Sequence, residues 1–242
     1  METLSHVDSW TRQCLLYDLG FQADYKRVWD FQKMILNKRI AKEIPDSLIL
    51  VEHDHVITLG RSAHVENVLT RDLPIYEIER GGDVTYHGPG QLVAYPIICL
   101  QERSLGIRQY IEKLELVIIN TLSSVGINEL EGKLGRETGV WIDGKRKIAS
   151  IGVAVSHWVT YHGLALNVAT DLQYFQKINP CGFESSIMTS VAKELSEMRV
   201  STAFLKERLL DSFSSIFEFE IHRGSFDSVA PNRTSYSEIQ QS

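Results

Sequence analysis

The chain has 242 residues, 43% of them hydrophobic and 23% charged. Those proportions are ordinary for a globular protein and exclude a disordered, collagen-like or disulfide-stapled chain. Lys and Arg number 25 against 31 Asp and Glu, a net charge of −6, which argues against non-specific nucleic-acid binding.

Three cysteines, Cys14, Cys99 and Cys181, lie far apart with no CxxC pair. An odd, scattered set points to a reducing compartment and away from a disulfide framework or structural zinc. The first ten residues carry Glu2 and Asp8 with no apolar stretch, so no signal peptide is expected. The longest apolar run, residues 92–100, is too short for a bilayer, which needs about 20 residues as a helix. The expected setting is the cytoplasm, with no membrane or nucleic-acid partner. Asn232-Arg233-Thr234 matches a glycosylation acceptor only by accident in such a chain.

Residues 12–18 are short and apolar, and a first strand is expected there. Across residues 21–40, Tyr25, Val28, Trp29, Ile35 and Leu36 recur at helical spacing, and Pro45 closes the segment. Strands are expected at 48–52, 56–59 and 92–98. A second amphipathic helix is expected over 107–125, stopped by Gly126. Asp143-Gly144 between two apolar runs suits a type I′ hairpin turn, because both residues tolerate positive φ. A strand at 159–168 follows, then helices starting near 190 and spanning 202–213. Residues 224–242 are Ser-rich and read as a flexible C-terminal tail. No linker divides the chain. The pattern is α+β: one domain with a central, largely antiparallel sheet flanked by helices.

Four glycines fall within Arg80-Gly81-Gly82-Asp83-Val84-Thr85-Tyr86-His87-Gly88-Pro89-Gly90-Gln91. Glycines let a backbone approach a ligand closely and free its N–H groups, though a tight surface loop has the same composition. The stretch is neither a Walker A loop nor a dinucleotide fingerprint. In Asn179-Pro180-Cys181-Gly182 a cysteine sits in a turn, where its sulfur is either exposed as a nucleophile or simply a small loop residue. A nucleophilic thiolate needs a base or cation nearby. Lys147, Lys145, Arg146, His87, His157 and His162 are candidates. Lys147 lies in an apolar strand, where it either marks an edge or points into a site. Cys14 and Cys99 sit in apolar strands and read as core. His53 and His55, two apart on one strand face, have no evident third ligand, so no metal site is expected.

The glycine-rich stretch, continued through Leu92-Val93-Ala94-Tyr95, resembles the signature of the octanoyltransferases of lipoate synthesis. Further blocks agree in order: Gly139-Val140-Trp141-Ile142, Lys147-Ile148-Ala149-Ser150-Ile151-Gly152-Val153, His162-Gly163-Leu164-Ala165-Leu166-Asn167-Val168, and Asn179-Pro180-Cys181-Gly182. The resemblance spans roughly residues 10–215. It implies a catalytic domain over 1–223 similar to those of biotin and lipoate protein ligases. It implies octanoyl transfer from octanoyl-acyl carrier protein to a lysine of lipoyl domains, those of 2-oxoacid dehydrogenase complexes and the glycine cleavage H protein. Carried over by position, Cys181 is the acyl-thioester nucleophile and Lys147 lowers its pKa. The acyl-substrate pocket maps onto Arg80, Gly81, Gly82, Asp83, Val84, Thr85, Tyr86 and His87, with Ser150, Ile151, Gly152, Gly163, Leu164 and Ala165. The role of His87, polarising the carbonyl or orienting a neighbour, stays open.

A thioester donor makes amide formation downhill, so no ATP and no cofactor are expected. An ATP-dependent lipoate or biotin protein ligase is the alternative on the same fold. The expected protein is a monomer. Its protein substrates are typically acidic and so is the chain, so docking is expected at a local basic patch around Lys145, Arg146 and Arg136.

Overall fold

A computed structural model gives the structure of residues 10, 12–180, 184–195 and 201–225, without the side chain of Arg136. Cys181, Gly182, Asn232 and residues 226–242 of the expected tail lie outside the described residues.

The chain runs β1 (Gln13–Asp18), α1 (Tyr25–Ile40), β2 (Asp46–Val51), β3 (Val56–Leu59), β4 (Ile75–Glu77), β5 (Val84–His87), β6 (Gln91–Ile97) and α2 (Ile107–Ser123). It continues through β7 (Leu130–Lys133), β8 (Gly139–Ile142), β9 (Arg146–Ser156), β10 (Val159–Asn167), α3 (Val191–Glu194), α4 (Thr202–Phe217) and β11 (Glu220–Arg223). Eight strands form one sheet in the order β11-β1-β2-β6-β10-β9-β8-β7, and β4-β3-β5 form a second. In the large sheet β1 runs parallel to both β11 and β2, and every other pair is antiparallel. The fold is α+β with a mixed, largely antiparallel sheet.

Helices cover both faces of that sheet, and its central strands show why. Along β2, Leu48 and Leu50 enter the core under α2 and α4, while Ile49 and Val51 enter the core under α1. β6 repeats this, with Leu92 and Ala94 on one side and Val93, Tyr95 and Ile97 on the other. Alternation into two buried faces yields an uninterrupted apolar run. Cys14 and Cys99 are buried free thiols in these two cores.

α1 begins at Asp24, whose carboxylate caps the Arg27 N–H at 2.8 Å, four residues later than the periodicity suggests. The β8–β9 turn places Asp143 at φ 49° and Gly144 at φ 70°, both positive as a type I′ turn requires. β11 runs up to residue 223, and just past it the Gly224 N–H, in the segment read as tail, still donates to Leu16 O at 2.8 Å. Among the described residues, no helix is long and apolar enough to cross a membrane.

Candidate active site

One cleft opens between the small sheet, the first half of β9, the middle of β10 and the start of α1. The loop after β4 supplies Arg80, Gly81 and Gly82, and β5 supplies Thr85 and His87. β9 contributes Lys147, Ser150, Ile151 and Gly152, and β10 contributes Gly163, Leu164 and Ala165. These blocks, far apart in sequence, therefore line one concavity. Asp83, Val84 and Tyr86 do not line it. β5 alternates, so Thr85 and His87 face the cleft while Val84 and Tyr86 enter a small core with Phe175 and Ile178. The Tyr86 hydroxyl bonds His55 Nδ1 at 2.7 Å, and its ring stacks on Tyr174. The Asp83 carboxylate ties its own loop, accepting from His64 N, Asn67 Nδ2 and Val84 N.

Two glycines are demanded by close approach. A Cβ on Gly163 would lie 2.2 Å from Ala94 O and 2.7 Å from Pro96 Cδ. On Gly152 it would lie 2.9 Å from Arg80 Cδ and 3.1 Å from Gly81 O. Gly152 thereby lets the Arg80 loop lie flat on β9, where Gly81 N donates to Val153 O at 2.9 Å. The buried Arg80 guanidinium stitches this loop to β3, donating to Thr58 O at 2.8 Å and Thr58 Oγ1 at 3.1 Å.

Lys147 reaches the cleft because of a β-bulge. The β8–β9 register pairs Val140 with Ala149 but Trp141 with Lys147, leaving Ile148 as the extra residue. Ile148 and Ala149 consequently both enter the α2 core, and Lys147 is turned to the other face. It is only 3% exposed, with its ammonium 5.4 Å from the Trp141 ring centre. A strict period of two would have sent it into the apolar core. The chain before residue 181 is tied to the segment between β3 and β4, and the chain after residue 183 to this strand. Asn179 N donates to Asn67 O at 2.8 Å, and Thr189 N donates to Lys147 O at 3.0 Å.

The remaining wall is aromatic. Tyr25, Tyr95 and His162 line the cleft, joined by Ile78 and Thr138. Behind them His53, fully buried, donates from Nδ1 to Ala23 O at 3.2 Å, leaving Nε2 to accept from the Tyr95 hydroxyl at 2.8 Å. The Tyr25 and Tyr95 phenols bear on each other in this wall. His53 and His55 thus go to different partners and share no face. Burial lowers His53 to about 4. Burial, then the neighbouring His53, lowers His87 to about 3. Burial also pushes His162 down, and its Nε2 lies 3.4 Å from Glu79, whose carboxyl is held low by that contact. Tyr25 and Tyr95 are pushed up by burial. At neutral pH every imidazole and phenol in this wall is uncharged.

Sequence reading passed over Tyr25, which lies on the apolar stripe of α1, and Tyr95, which reads as a core strand residue. Arg146, expected in a docking patch, is engaged by Asp143 at 3.4 Å and Glu194 at 3.3 Å, while Lys145 is exposed.

The α+β fold, helices on both faces of its large sheet, leaves a glycine-lined cleft that holds a buried lysine. Residues 24–214 match the family model of the lipoyl protein ligase A/B catalytic domain, and the chain belongs to that family. It is 44% identical over 221 residues to an octanoyltransferase of Solibacter usitatus, covering 88% of this chain and 97% of that protein. It is 43% identical over 213 residues to an octanoyltransferase of Syntrophobacter fumaroxidans, covering 83% and 92%. Its fold matches a chain from the archaeal lipoylation system of Thermoplasma acidophilum, a bi-partite lipoate protein ligase and its E2 lipoyl domain. That match has a TM-score of 0.68 at 18% identity and covers 93% of each chain.

Proposed function

We propose that the protein is an octanoyltransferase acting on lipoyl-domain proteins, in which Cys181 carries the octanoyl group as a thioester and Lys147 governs its ionisation. The observation that carries this reading is Lys147 itself. A bulge turns an otherwise core-directed lysine into the glycine-lined cleft, where it is buried. A buried ammonium lowers the pKa of a thiol beside it. The peptide N–H of Thr189 on the Lys147 carbonyl ties the segment following Cys181 to this strand.

In the proposed reaction the Cys181 thiolate attacks the thioester carbonyl of octanoyl-acyl carrier protein. A carbon–sulfur bond to Cys181 forms, the carbon–sulfur bond to the carrier breaks, and the departing carrier thiolate takes its proton from the Lys147 ammonium, leaving a neutral amine. The amine of the acceptor lysine then attacks the acyl-enzyme carbonyl, the amide bond forms, and Cys181 departs as thiolate. Lys147 as ammonium favours the thiolate in the first half. As a neutral amine it takes the proton of the incoming lysine in the second. Thioester to amide is downhill, so the reaction consumes no nucleotide. We assign the lipoyl domains of 2-oxoacid dehydrogenase complexes and the H protein as acceptors, the cytoplasm as location, and a monomer as working form.

Intact mass spectrometry after mixing with octanoyl-carrier protein, apyrase present, tests the reading. The expected result is one octanoyl adduct on wild type, Cys14→Ala and Cys99→Ala, and none on Cys181→Ala. An adduct surviving in Cys181→Ala removes the nucleophile. Transfer that occurs only with ATP and free octanoate makes the protein a ligase.

A further inference from the structure

We propose that Gln91 and Asn167 are positioning residues that hold His87 as its Nδ1–H tautomer, so that Nε2 enters the cleft as a hydrogen-bond acceptor. Under the transfer reading above, the group it receives is an N–H of the attacking lysine amine; it is not a donor to the acyl carbonyl.

The argument starts from two backbone carbonyls, which can only accept. Thr189 O lies 3.0 Å from a side-chain amide atom of Asn167, which must therefore be Nδ2. Asn167 Oδ1 then faces Gln91, 2.9 Å away. Gln91 meets this oxygen and the Tyr86 carbonyl, at 3.2 Å, with one amide atom, so that atom is its nitrogen. Its remaining oxygen lies 2.7 Å from His87 Nδ1. An amide oxygen accepts, so Nδ1 carries the hydrogen. Reversing either amide would set oxygen against carbonyl oxygen, which fixes the assignment independently of how the amides are drawn.

Gln91 and Asn167 stand directly opposite each other on β6 and β10 and are 2% and 1% exposed. Neither touches the cleft, so a merely apolar pair would pack there more cheaply than two amides. The same Thr189 donates its N–H to Lys147 O, so the chain of bonds that sets His87 ends on the lysine strand.

The ring itself is immobilised. It lies nearly parallel to Tyr25 of α1, centroids 6.1 Å apart, with His53 at 6.0 Å. Arg80 and His162 are the other ionisable groups that bear on it. With no anion against it, the ring holds one proton at neutral pH, and the network assigns that proton to Nδ1. Among the described residues Nε2 has no hydrogen-bond partner, and His87 faces the cleft that also holds Lys147. An acceptor there orients an incoming primary amine by one N–H and turns its lone pair toward the acyl carbon. No proton needs to move to His87.

Nitrogen-15 NMR of the histidine-labelled protein reads the tautomer directly, with His87→Gln identifying the signals. A pyrrole-type Nδ1 and a pyridine-type Nε2 in the free enzyme are expected. A predominant Nε2–H form overturns the proposal without any activity measurement. In Gln91→Met the two forms should mix, and amide formation from preformed acyl-enzyme should fall about tenfold more than acyl-enzyme formation does. Equal effects on both steps reduce Gln91 to a structural role and overturn the positioning claim. An enzyme that never acylates a lipoyl domain overturns the reaction and the amine's place in it, while the tautomer is still read from the spectrum.

Discussion

Two regions of this molecule bury charge, and they do it in opposite ways. Around Asp46, 4% exposed, Arg39 Nε donates at 2.8 Å, Arg103 Nε at 2.9 Å and Cys99 N at 2.9 Å, and Arg39 also meets Glu102. Cations and anions are matched and both carboxylate oxygens are occupied. The cleft contains Arg80 and Lys147 among neutral imidazoles and phenols, and no carboxylate is part of its described lining. The first arrangement satisfies itself on folding. The second gathers two cations on the lining of an open cleft, beside imidazoles and phenols that stay uncharged. Buried charge alone therefore does not mark a site; its setting on a concave surface does.

Substitution of each region should separate the two. Lys147→Met removes the ammonium at nearly constant length. Transfer should fall about 10²- to 10⁴-fold, while the urea midpoint stays level or rises, because an ammonium leaves an apolar setting. Lys147→Arg should form acyl-enzyme and release it slowly, since Arg does not deprotonate. Alkylation of Cys181 against pH checks the cause, and coincident curves for wild type and Lys147→Met would take the lysine out of thiolate control. Asp46→Ala should do the reverse. It removes the carboxylate that Arg39 and Arg103 share and should cost about 3–5 kcal/mol of stability, read by urea unfolding, with little change in activity per folded molecule.

The uncharged wall has its own signature. His53 and His87 are held at about 4 and about 3 in the fold, against about 6.5 when unfolded. Between those limits the unfolded chain binds more protons. Stability is complete above about pH 6.5 and drops as pH falls, by up to about 1.4 kcal/mol per pH unit for each histidine. Urea midpoints at pH 7 and pH 5 should diverge less in His87→Gln than in wild type. The smallest effect is expected at the surface. Lys145→Glu with Arg146→Glu should raise KM for protein substrates a few-fold at low salt and less at high salt. Arg146 contributes little because Asp143 and Glu194 already engage it.

Strands bearing apolar runs, the three long helices α1, α2 and α4 and the Asp143-Gly144 turn were legible because burial on a sheet or helix face writes a period into the sequence. β4, β7 and β11 were not. They are short, and β7 and β11 flank the sheet with Glu131, Lys133, Glu220 and Arg223, so backbone ladders hold them and side-chain pattern does not. β5 hid inside the glycine-rich stretch, though Val84 and Tyr86 against Thr85 and His87 already alternate. Of the cleft, glycines and Lys147 stood out because each breaks its surroundings. Tyr25 and Tyr95 did not, since aromatic residues on an apolar stripe look like core until their hydroxyls are traced. The bulge at Ile148 has no sequence signal that was read, and it alone decides which way Lys147 points.

The pairing of β1 with β11 has a consequence for synthesis. Gln13 and Leu16 at one end of the described chain align with Glu220 and Arg223 at the other. During translation β1 can dock on β2 early, but its other edge stays open until the last strand has left the ribosome. Closing so large a loop late is slow relative to local pairing. A nascent chain arrested before residue 220 therefore carries an unpaired parallel edge next to an almost complete sheet, the kind of edge to which chaperones or another copy of the chain can attach.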